Sequence, residues 1–402
     1  MKQISFTNTK IDAVFLAGGK GTRIKKILKG KPKPIINIRK KKFLEILISK
    51  LSKYNLNKIY ILAGYKGDQI YKAFNNKIYN FIKVECLIEK KPLGTGGALN
   101  SIKHKLTNNF LVLNADSIFD INLNKFIIHK KKNSPLLALT SNQNYKSNKK
   151  LSNLDINSKN IVIKSKSSKK INAGIYFFDK SIFKKLKNTY CSLENDILEN
   201  EIDKKKVKGY FVKSFFLDIG TYQNHSKGLK LIPKYLKKSA IFLDRDGVIN
   251  HDYGYVHKLN NFKFKKGVIK ALKYINSKNY YLFIVTNQAG IAKKIFSEET
   301  FFELQKKIKV ILQKKSIFID DIEYCPHHKE GKIKKYSINC NCRKPKIGMV
   351  KKLNSKWFIN MNKSYYIGDQ KTDELMAKRL GINFYYPEKD LYFQIKKIIK
   401  KN

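Results

Sequence analysis

Residues 13–23 read AVFLAGGKGTR. Five apolar residues of strand type run straight into a turn with three glycines. A strand that ends in such a turn can bring backbone N–H groups close to phosphate oxygens. Glycine suits the position because no side chain blocks the approach and a positive φ costs little. The turn lacks the GK[ST] ending of a Walker loop and the GxGxxG spacing of a dinucleotide loop. By itself it is equally well a tight strand–helix connection.

Outward from this stretch, apolar runs of strand length recur at 58–63, 83–88, 110–114, 135–140 and 173–178, separated by helical patterns. The alternation implies an α/β fold with a mainly parallel sheet. Residues 231–239, LIPKYLKKS, are basic and carry a proline. A new strand follows at 240–243, and the alternation resumes with strands at 281–286, 322–324 and 365–367. The expectation is two different α/β domains, 1–235 and 236–402. Residues 142–170 are rich in Lys, Ser and Asn, and read as a loop region.

The 402 residues carry a formal charge of +54, with 84 Lys and Arg against 30 Asp and Glu. Such a balance raises nucleic-acid binding. Only five of the basic residues are Arg, however, and the Lys are spread along the whole chain. A base-reading surface would cluster Arg with aromatics. The expected partners are small anionic molecules, with no nucleic acid and no membrane; a homo-oligomer is left open. There is no apolar run of spanning length and no secretion signal in the first ten residues, so the expected location is cytoplasmic. Three of the Arg, Arg23, Arg245 and Arg343, fall inside motifs, where a planar fork suits phosphate.

Four further segments weigh on the glycine turn. Residues 31–34 read KPKP and residues 92–99 read PLGTGGAL. Residues 113–116, LNAD, end a strand, and residues 216–221, FLDIGT, place a second aspartate at a strand end. Two such carboxylates can share a hard cation. With NAGIY at 172–176, these segments resemble, in order, the sugar-1-phosphate nucleotidylyltransferase family over roughly 10–230. Residues 192–198, SLENDIL, resemble its heptose-1-phosphate guanylyltransferase branch. The resemblance implies a GT-A-like mixed sheet. It implies a nucleotide site of Ala17, Gly18, Gly19, Gly21, Thr22, Arg23, Lys33, Gly94, Thr95, Gly96 and Gly97. Arg23 and Lys33 would neutralise phosphates, Asp116 and Asp218 would hold Mg²⁺, and Asn172 and Glu194 would meet the sugar. Two positions depart from the family pattern: Ala115 stands where NGD has glycine, and Ser165 replaces a glutamate, with Lys166 next to it.

In the second half, residues 241–250 read IFLDRDGVIN. Alternation along a strand places Asp244 and Asp246 on one face at its end. Thr286, Asn287 and Gln288 follow one apolar run, Arg343 and Lys344 lie in RKP, and Asp369 follows another run. In this order they resemble the haloacid dehalogenase superfamily of phosphatases, with a parallel sheet. That resemblance makes Asp244 a nucleophile, Asp246 its acid/base partner, and Thr286 and Lys344 holders of the transferred phosphoryl group. Mg²⁺ would sit on Asp244, Asp369 and the carbonyl of Asp246. Cys325, His327, Cys340 and Cys342 form C-x-H…C-x-C with twelve residues between the pairs, a closed structural Zn²⁺ set. CPHH, RKP, NHDYGYVHKLNNFKF and TNQAGIAKKIF together resemble the heptose bisphosphate 7-phosphatases. Asp252, Tyr253, Gly254, Tyr255, Thr286, Asn287, Gln288, Ala289, Arg343 and Lys344 would then line the substrate, and Lys293 stands where those enzymes carry Arg. Histidinol-phosphate phosphatases share the zinc loop but not GYVH. The implied chain makes a nucleotide-activated heptose by two consecutive reactions; a phosphatase fused to a different or an inactive transferase remains the alternative.

Overall fold

The computed structural model describes residues 4–141 and 151–400. The chain divides into two compact units. One comprises Met1–Leu47, Leu56–Ile78 and Ile82–Leu231; the other comprises Ile48–Asn55, Tyr79–Phe81 and Ile232–Asn402.

The first unit holds strands β1 (Ile11–Ala17), β2 (Asn37–Ile38), β3 (Lys41–Lys42), β4 (Ile59–Ala63), β5 (Ile78–Tyr79), β6 (Ile82–Ile88), β7 (Asn109–Asn114) and β8 (Ser117–Phe119). It continues with β9 (Leu136–Ser141), β10 (Ser152–Ile156), β11 (Val162–Lys164), β12 (Lys170–Asp179), β13 (Lys208–Phe211) and β14 (Phe216–Asp218). Its main sheet runs β11-β10-β12-β7-β1-β4-β6-β5, with β9 beside β12 and β13 beside β9. β1 is parallel to β4 and to β7, while β12 is antiparallel to β7 and β9. The sheet is mixed, as expected. The chain leaves β1 for β4 and β6 on one side and returns as β7 on the other. The carboxyl end of β1 is therefore a switch point, where open α/β sheets bind ligands.

One expectation is corrected. Within 142–170, residues 152–156 and 162–164 are strands and not loop; residues 142–150 lie outside the described residues. Sparse apolar residues were enough: Leu151, Leu154 and Val162 are buried in the sheet core among polar neighbours.

The second unit holds β15 (Ala240–Leu243), β16 (Tyr281–Asn287), β17 (Asp321–Cys325), β18 (Tyr365–Ile367) and β19 (Asn383–Tyr385) in the order β17-β16-β15-β18-β19, all parallel. Residues alternate between two cores. Ile241, Leu243, Leu282 and Ile284 pack on one face, and Ala240, Phe242, Tyr281 and Phe283 on the other. A sheet covered on both faces needs such continuous apolar strands. Here the switch point lies between β15 and β18.

Candidate active sites

In the first unit a cleft of about 560 Å³ opens at the end of β1. Ala17, Gly18, Gly19, Arg23, Lys33, Gly94, Thr95, Asp116 and Glu194 line it. Gly18 is held close from behind, because a Cβ on Gly64 would lie 2.8 Å from its Cα. Gly21 has φ +64°, and a Cβ there would sit 3.0 Å from Lys33 Cγ. The bare glycine lets the Lys33 stem pass, and Lys33 Nζ ends 3.1 Å from Asp116 Oδ2. Thr22 is exposed and opens the short 3₁₀ turn Thr22–Ile24.

Asp116 and Asp218 are brought together by a two-stranded ribbon. Asp218 pairs with Ser117 across β14 and β8, and Ile219 N–H donates to the Asp116 carbonyl at 2.9 Å. The Gly220 N–H turns onto Asp218 Oδ1 at 2.6 Å. Two carboxylates at strand ends, one of them already holding an ammonium, are a donor set that fits a hard divalent cation.

Gly94 and Thr95 line the cleft, whereas Gly96 and Gly97 are buried in the helix behind them. A Cβ on Gly94 would meet the Cys191 carbonyl oxygen at 2.5 Å, one on Gly97 the Thr189 carbonyl oxygen at 2.7 Å, and one on Gly96 the Cys191 Sγ at 3.0 Å. The Gly96 N–H donates to the Cys191 carbonyl at 2.8 Å, and the Leu193 N–H to Thr95 Oγ1 at 2.8 Å. The glycine run is a docking strip for residues 189–193, which carry Tyr190, Ser192 and Glu194 to the cleft wall. Asn172 stands behind Glu194, with Nδ2 3.1 Å from Oε1. Ala115 is buried and also lines the cleft. Ser165 bonds Ser167 on an exposed turn.

Sequence reasoning missed Glu89 and Tyr176, both on the cleft wall. Burial raises the Glu89 carboxyl, and the Leu93 backbone only partly offsets this. A Cβ on Gly18 would strike Glu89 Oε1 at 2.9 Å. Of the isolated thiols, Cys86 and Cys191 are both buried, and burial pushes Cys86 up to about 12.

The second unit has a cleft of about 450 Å³ at its own switch point. Asp244, Asp246, Asp252, Gly254, Tyr255, Thr286, Asn287, Gln288, Ala289, Arg343, Lys344 and Asp369 line it. Tyr253 is 62% exposed, with its ring against His251. Lys344 Nζ is 2.6 Å from Asp244 Oδ2 and 2.6 Å from Asp373 Oδ1. All three side chains are nearly or fully buried. Burial raises the Asp244 carboxyl to about 7, against the opposing pull of Lys344 and with a further push from Asp373. The Arg245 N–H donates to Asp244 Oδ1 at 2.7 Å. Thr286 Oγ1 receives Gln288 Nε2 at 2.9 Å.

Arg245 corrects the phosphate-fork expectation. Its guanidinium is buried and grips Asp246 through Nε and Nη2 at 2.8–3.2 Å, with Nη2 also on the Val256 carbonyl at 2.7 Å. Asn250 Nδ2 and Gln288 Nε2 donate to the same carboxylate at 2.9 and 3.0 Å. Asp246 is aimed by three side chains, Arg245 and Asn250 from its own turn and Gln288 from the end of β16.

Asp244, Asp369 and Asp373 present oxygens within 4.8 Å of one another. A Cβ on Gly247 would lie 2.1 Å from Asp369 Oδ2, so the glycine after Asp246 makes room for that carboxylate. Asp244 and Asp369 fit a hard cation. Asp373 is occupied by Lys344, the Tyr366 hydroxyl at 3.0 Å and the Gln370 N–H at 3.1 Å, and acts as the far anchor of Lys344. The sequence reading passed over it. The signal was its place four residues after Asp369, at the start of the helix Lys371–Leu380. His328 also lines the cleft.

Cys325, His327, Cys340 and Cys342 converge. Cys325 Sγ is 3.5 Å from Cys340 Sγ, 3.1 Å from Cys342 Sγ and 3.7 Å from His327 Nδ1, and His327 Nδ1 is 3.2 Å from Cys342 Sγ. Metal–sulfur bonds of about 2.3 Å place tetrahedral donors roughly 3–4 Å apart. The cluster therefore fits a closed four-coordinate ion. It is tied to the cleft. The Arg343 N–H donates to Cys340 Sγ at 3.3 Å, Arg343 Nη1 to the His327 carbonyl at 3.3 Å, and the Lys344 N–H to Asn287 Oδ1 at 3.1 Å.

Comparison with known proteins agrees with this division of labour. Residues 12–234 match the family described as Nucleotidyl transferase, and residues 241–393 match the one described as Polynucleotide kinase 3 phosphatase. The D-glycero-beta-D-manno-heptose-1,7-bisphosphate 7-phosphatase of Haemophilus influenzae is 47% identical over 138 residues, 34% of this chain and 74% of that protein. Its counterpart from Escherichia coli is 42% identical over 134 residues, 33% of this chain and 70% of that protein. Among solved structures, HddC from Yersinia pseudotuberculosis is 28% identical, covers 55% of this chain and 99% of its own, and superposes with a TM-score of 0.47. Among the described residues no helix is long and apolar enough to cross a membrane. The chain belongs to the nucleotidyl transferase family through its N-terminal half, and its C-terminal half is a phosphatase of the haloacid dehalogenase type, related to the heptose bisphosphate 7-phosphatases.

Proposed function

We propose that the chain removes the 7-phosphate of heptose 1,7-bisphosphate in domain 236–402 and transfers a nucleotidyl group, GMP from GTP, to the resulting heptose 1-phosphate in domain 1–235. The observation that carries the reading is the second cleft. There Asp244 and Asp246, Thr286, and Lys344, from three separate segments, meet around one opening, in a region 47% identical over 138 residues to an enzyme bearing that name. GTP rests on the resemblance of SLENDIL to the guanylyltransferase branch.

In the phosphatase half, an Asp244 carboxylate oxygen attacks phosphorus and the sugar–oxygen bond to phosphorus breaks. Asp246 gives its proton to the leaving oxygen, then takes one from the water that hydrolyses the aspartyl phosphate. Thr286 and Lys344 hold the phosphoryl oxygens. Mg²⁺ on Asp244, Asp369 and the Asp246 carbonyl would supply charge neutralisation. Zn²⁺ on Cys325, His327, Cys340 and Cys342 would fix the loop that presents Arg343 and Lys344.

In the transferase half, a phosphate oxygen of the sugar 1-phosphate attacks the α-phosphorus of the triphosphate, and pyrophosphate leaves. The nucleophile is already anionic, so the task is positioning and charge neutralisation. Arg23 and Lys33 supply positive charge, and Asp116 and Asp218 would hold the second Mg²⁺.

The test is to incubate the protein with Mg²⁺, heptose 1,7-bisphosphate of each anomer and each common nucleoside triphosphate, assaying phosphate, pyrophosphate and nucleotide sugar. Phosphate release with GDP-heptose from one anomer is expected. Phosphate release without any nucleotide sugar would remove the transferase reading. Release of neither would remove both.

A further inference from the structure

The glycine loop, the Asp116 carboxylate and Tyr176 stand on three consecutive strands. The loop follows β1, Asp116 follows β7, and Tyr176 lies on β12, which pairs with β7 on the side away from β1. A triphosphate on the glycine loop leaves the β12 side of the cleft for the acceptor. Tyr176 forms part of the cleft wall, yet it is 0% exposed as a residue. Its ring stacks on Phe178 at 5.9 Å and 10°.

The hydrogen bonds around its hydroxyl have one consistent direction. The Gly174 N–H donates to Asn172 Oδ1 at 2.9 Å, which fixes the amide. Asn172 Nδ2 then donates to the Tyr176 oxygen at 2.7 Å and to Glu194 Oε1 at 3.1 Å. With its oxygen receiving the amide, the Tyr176 hydroxyl donates its own hydrogen to Glu194 Oε1. Burial and the Glu194 charge hold Tyr176 well above the usual phenol range, so the hydroxyl keeps its hydrogen. Both donors converge on Oε1. Among the described residues, Oε2 has no hydrogen bond. Glu194 is set from the other side by the turn Leu193–Leu198, whose Ser192 cap accepts the Asn195 N–H at 3.1 Å.

We infer that Tyr176 is a positioning residue for acceptor recognition: by holding Glu194 Oε1 it presents Oε2 as a fixed acceptor for a ring hydroxyl of the sugar 1-phosphate. The inference rests on the transferase reading and deepens it. Two donors on one oxygen cost the carboxylate its rotational freedom before the sugar arrives, and this preorganisation is where the affinity comes from. On the transferase reading the nucleotide sits at the glycine loop after β1, with β7 between it and Tyr176, and its binding does not depend on this carboxylate.

The experiment uses the full chain, GTP and heptose 1-phosphate, with initial rates over both substrate concentrations. Tyr176→Phe keeps the ring and removes the donor. It should raise KM for the sugar 1-phosphate about tenfold, the worth of one hydrogen bond to a charged group, with kcat and the KM for GTP little changed. Glu194→Gln and the double variant complete a cycle. If Tyr176 acts through Glu194, the two effects on sugar KM are strongly sub-additive. Equal rises in both KM values, a fall in kcat alone, or full additivity overturns the inference while leaving the transferase standing. An inactive wild-type protein with every triphosphate overturns the transferase reading, and the inference with it.

Discussion

The two clefts solve related problems with opposite construction. In the phosphatase cleft Lys344 is 2% exposed, between Asp244 at 9% and Asp373 at 0%. In the transferase cleft Lys33 is 12% exposed and its partner Asp116 is 29% exposed. One cation is locked inside the protein; the other stands at the rim with water in reach. The proposed reactions account for the difference. An enzyme whose own carboxylate attacks must hold that carboxylate in place, desolvated and matched to a charge. An enzyme that joins two bound anions needs positive charge that can follow the phosphates.

The sharpest break of this comparison is Asp244→Asn. Loss of the proposed nucleophile should lower phosphate release by about 10⁴-fold or more, with pyrophosphate release from heptose 1-phosphate and GTP unchanged. Loss of both activities together would mean that the clefts are not separate machines.

Next come the two lysines. Lys344→Ala leaves Asp244 and Asp373 buried without their cation and should cost about 3–5 kcal/mol, read as a lowered urea midpoint of the second unit. Lys33→Ala should cost less than about 1 kcal/mol, while lowering nucleotidyl transfer by about 10²-fold. Similar stability losses for both would contradict the contrast between a fully buried and a partly exposed cation.

Third, Cys340→Ser should reduce bound zinc and lower phosphatase kcat/KM by about 10- to 100-fold, because Cys340 Sγ accepts the Arg343 N–H. Transferase kinetics should not move. Unchanged phosphatase kinetics in a zinc-depleted variant would separate the metal from the cleft.

The smallest effect concerns acid sensitivity of the first unit. His225 lies in the helix Tyr222–Leu236, buried, and burial lowers its imidazole below the usual value. The unfolded chain therefore takes up the proton first. This contribution to stability is present above the unfolded value of about 6.5 and is lost as pH falls through the lower folded value. His225→Gln should reduce the fall in Tm between pH 7 and pH 5 by roughly a degree or two, by differential scanning calorimetry. An unaltered pH slope would assign the acid response to other groups.

How much was legible depends on where the signal lay. Strands with apolar runs, such as β1, β7, β15 and β16, were readable because sheet burial imposes composition. β10 and β11 were not, since only Leu154 and Val162 carry their burial within a polar stretch. Asp244, Asp369 and the cysteine–histidine set were readable because their chemistry demands those residue types. Asp373 was missed because a carboxylate in the first turn of a helix reads as an ordinary helix start. Arg245 shows the converse: residue type suggested a phosphate contact, whereas its buried guanidinium aims Asp246.

The sequence alone determined the alternation of strands and helices, the two motif sets and the donor types for three proposed cation sites. These are local properties of composition and spacing. Only the tertiary structure decided which carboxylates share a cleft, which cation is buried, and which face of a glycine run packs against residues 189–193. Those depend on the approach of segments far apart in sequence: 189–193 onto the glycine run, Asp218 onto Ser117, Lys344 between the end of β15 and the first turn of the helix Lys371–Leu380. Packing distances of a few ångströms between such segments leave no trace in the residues themselves.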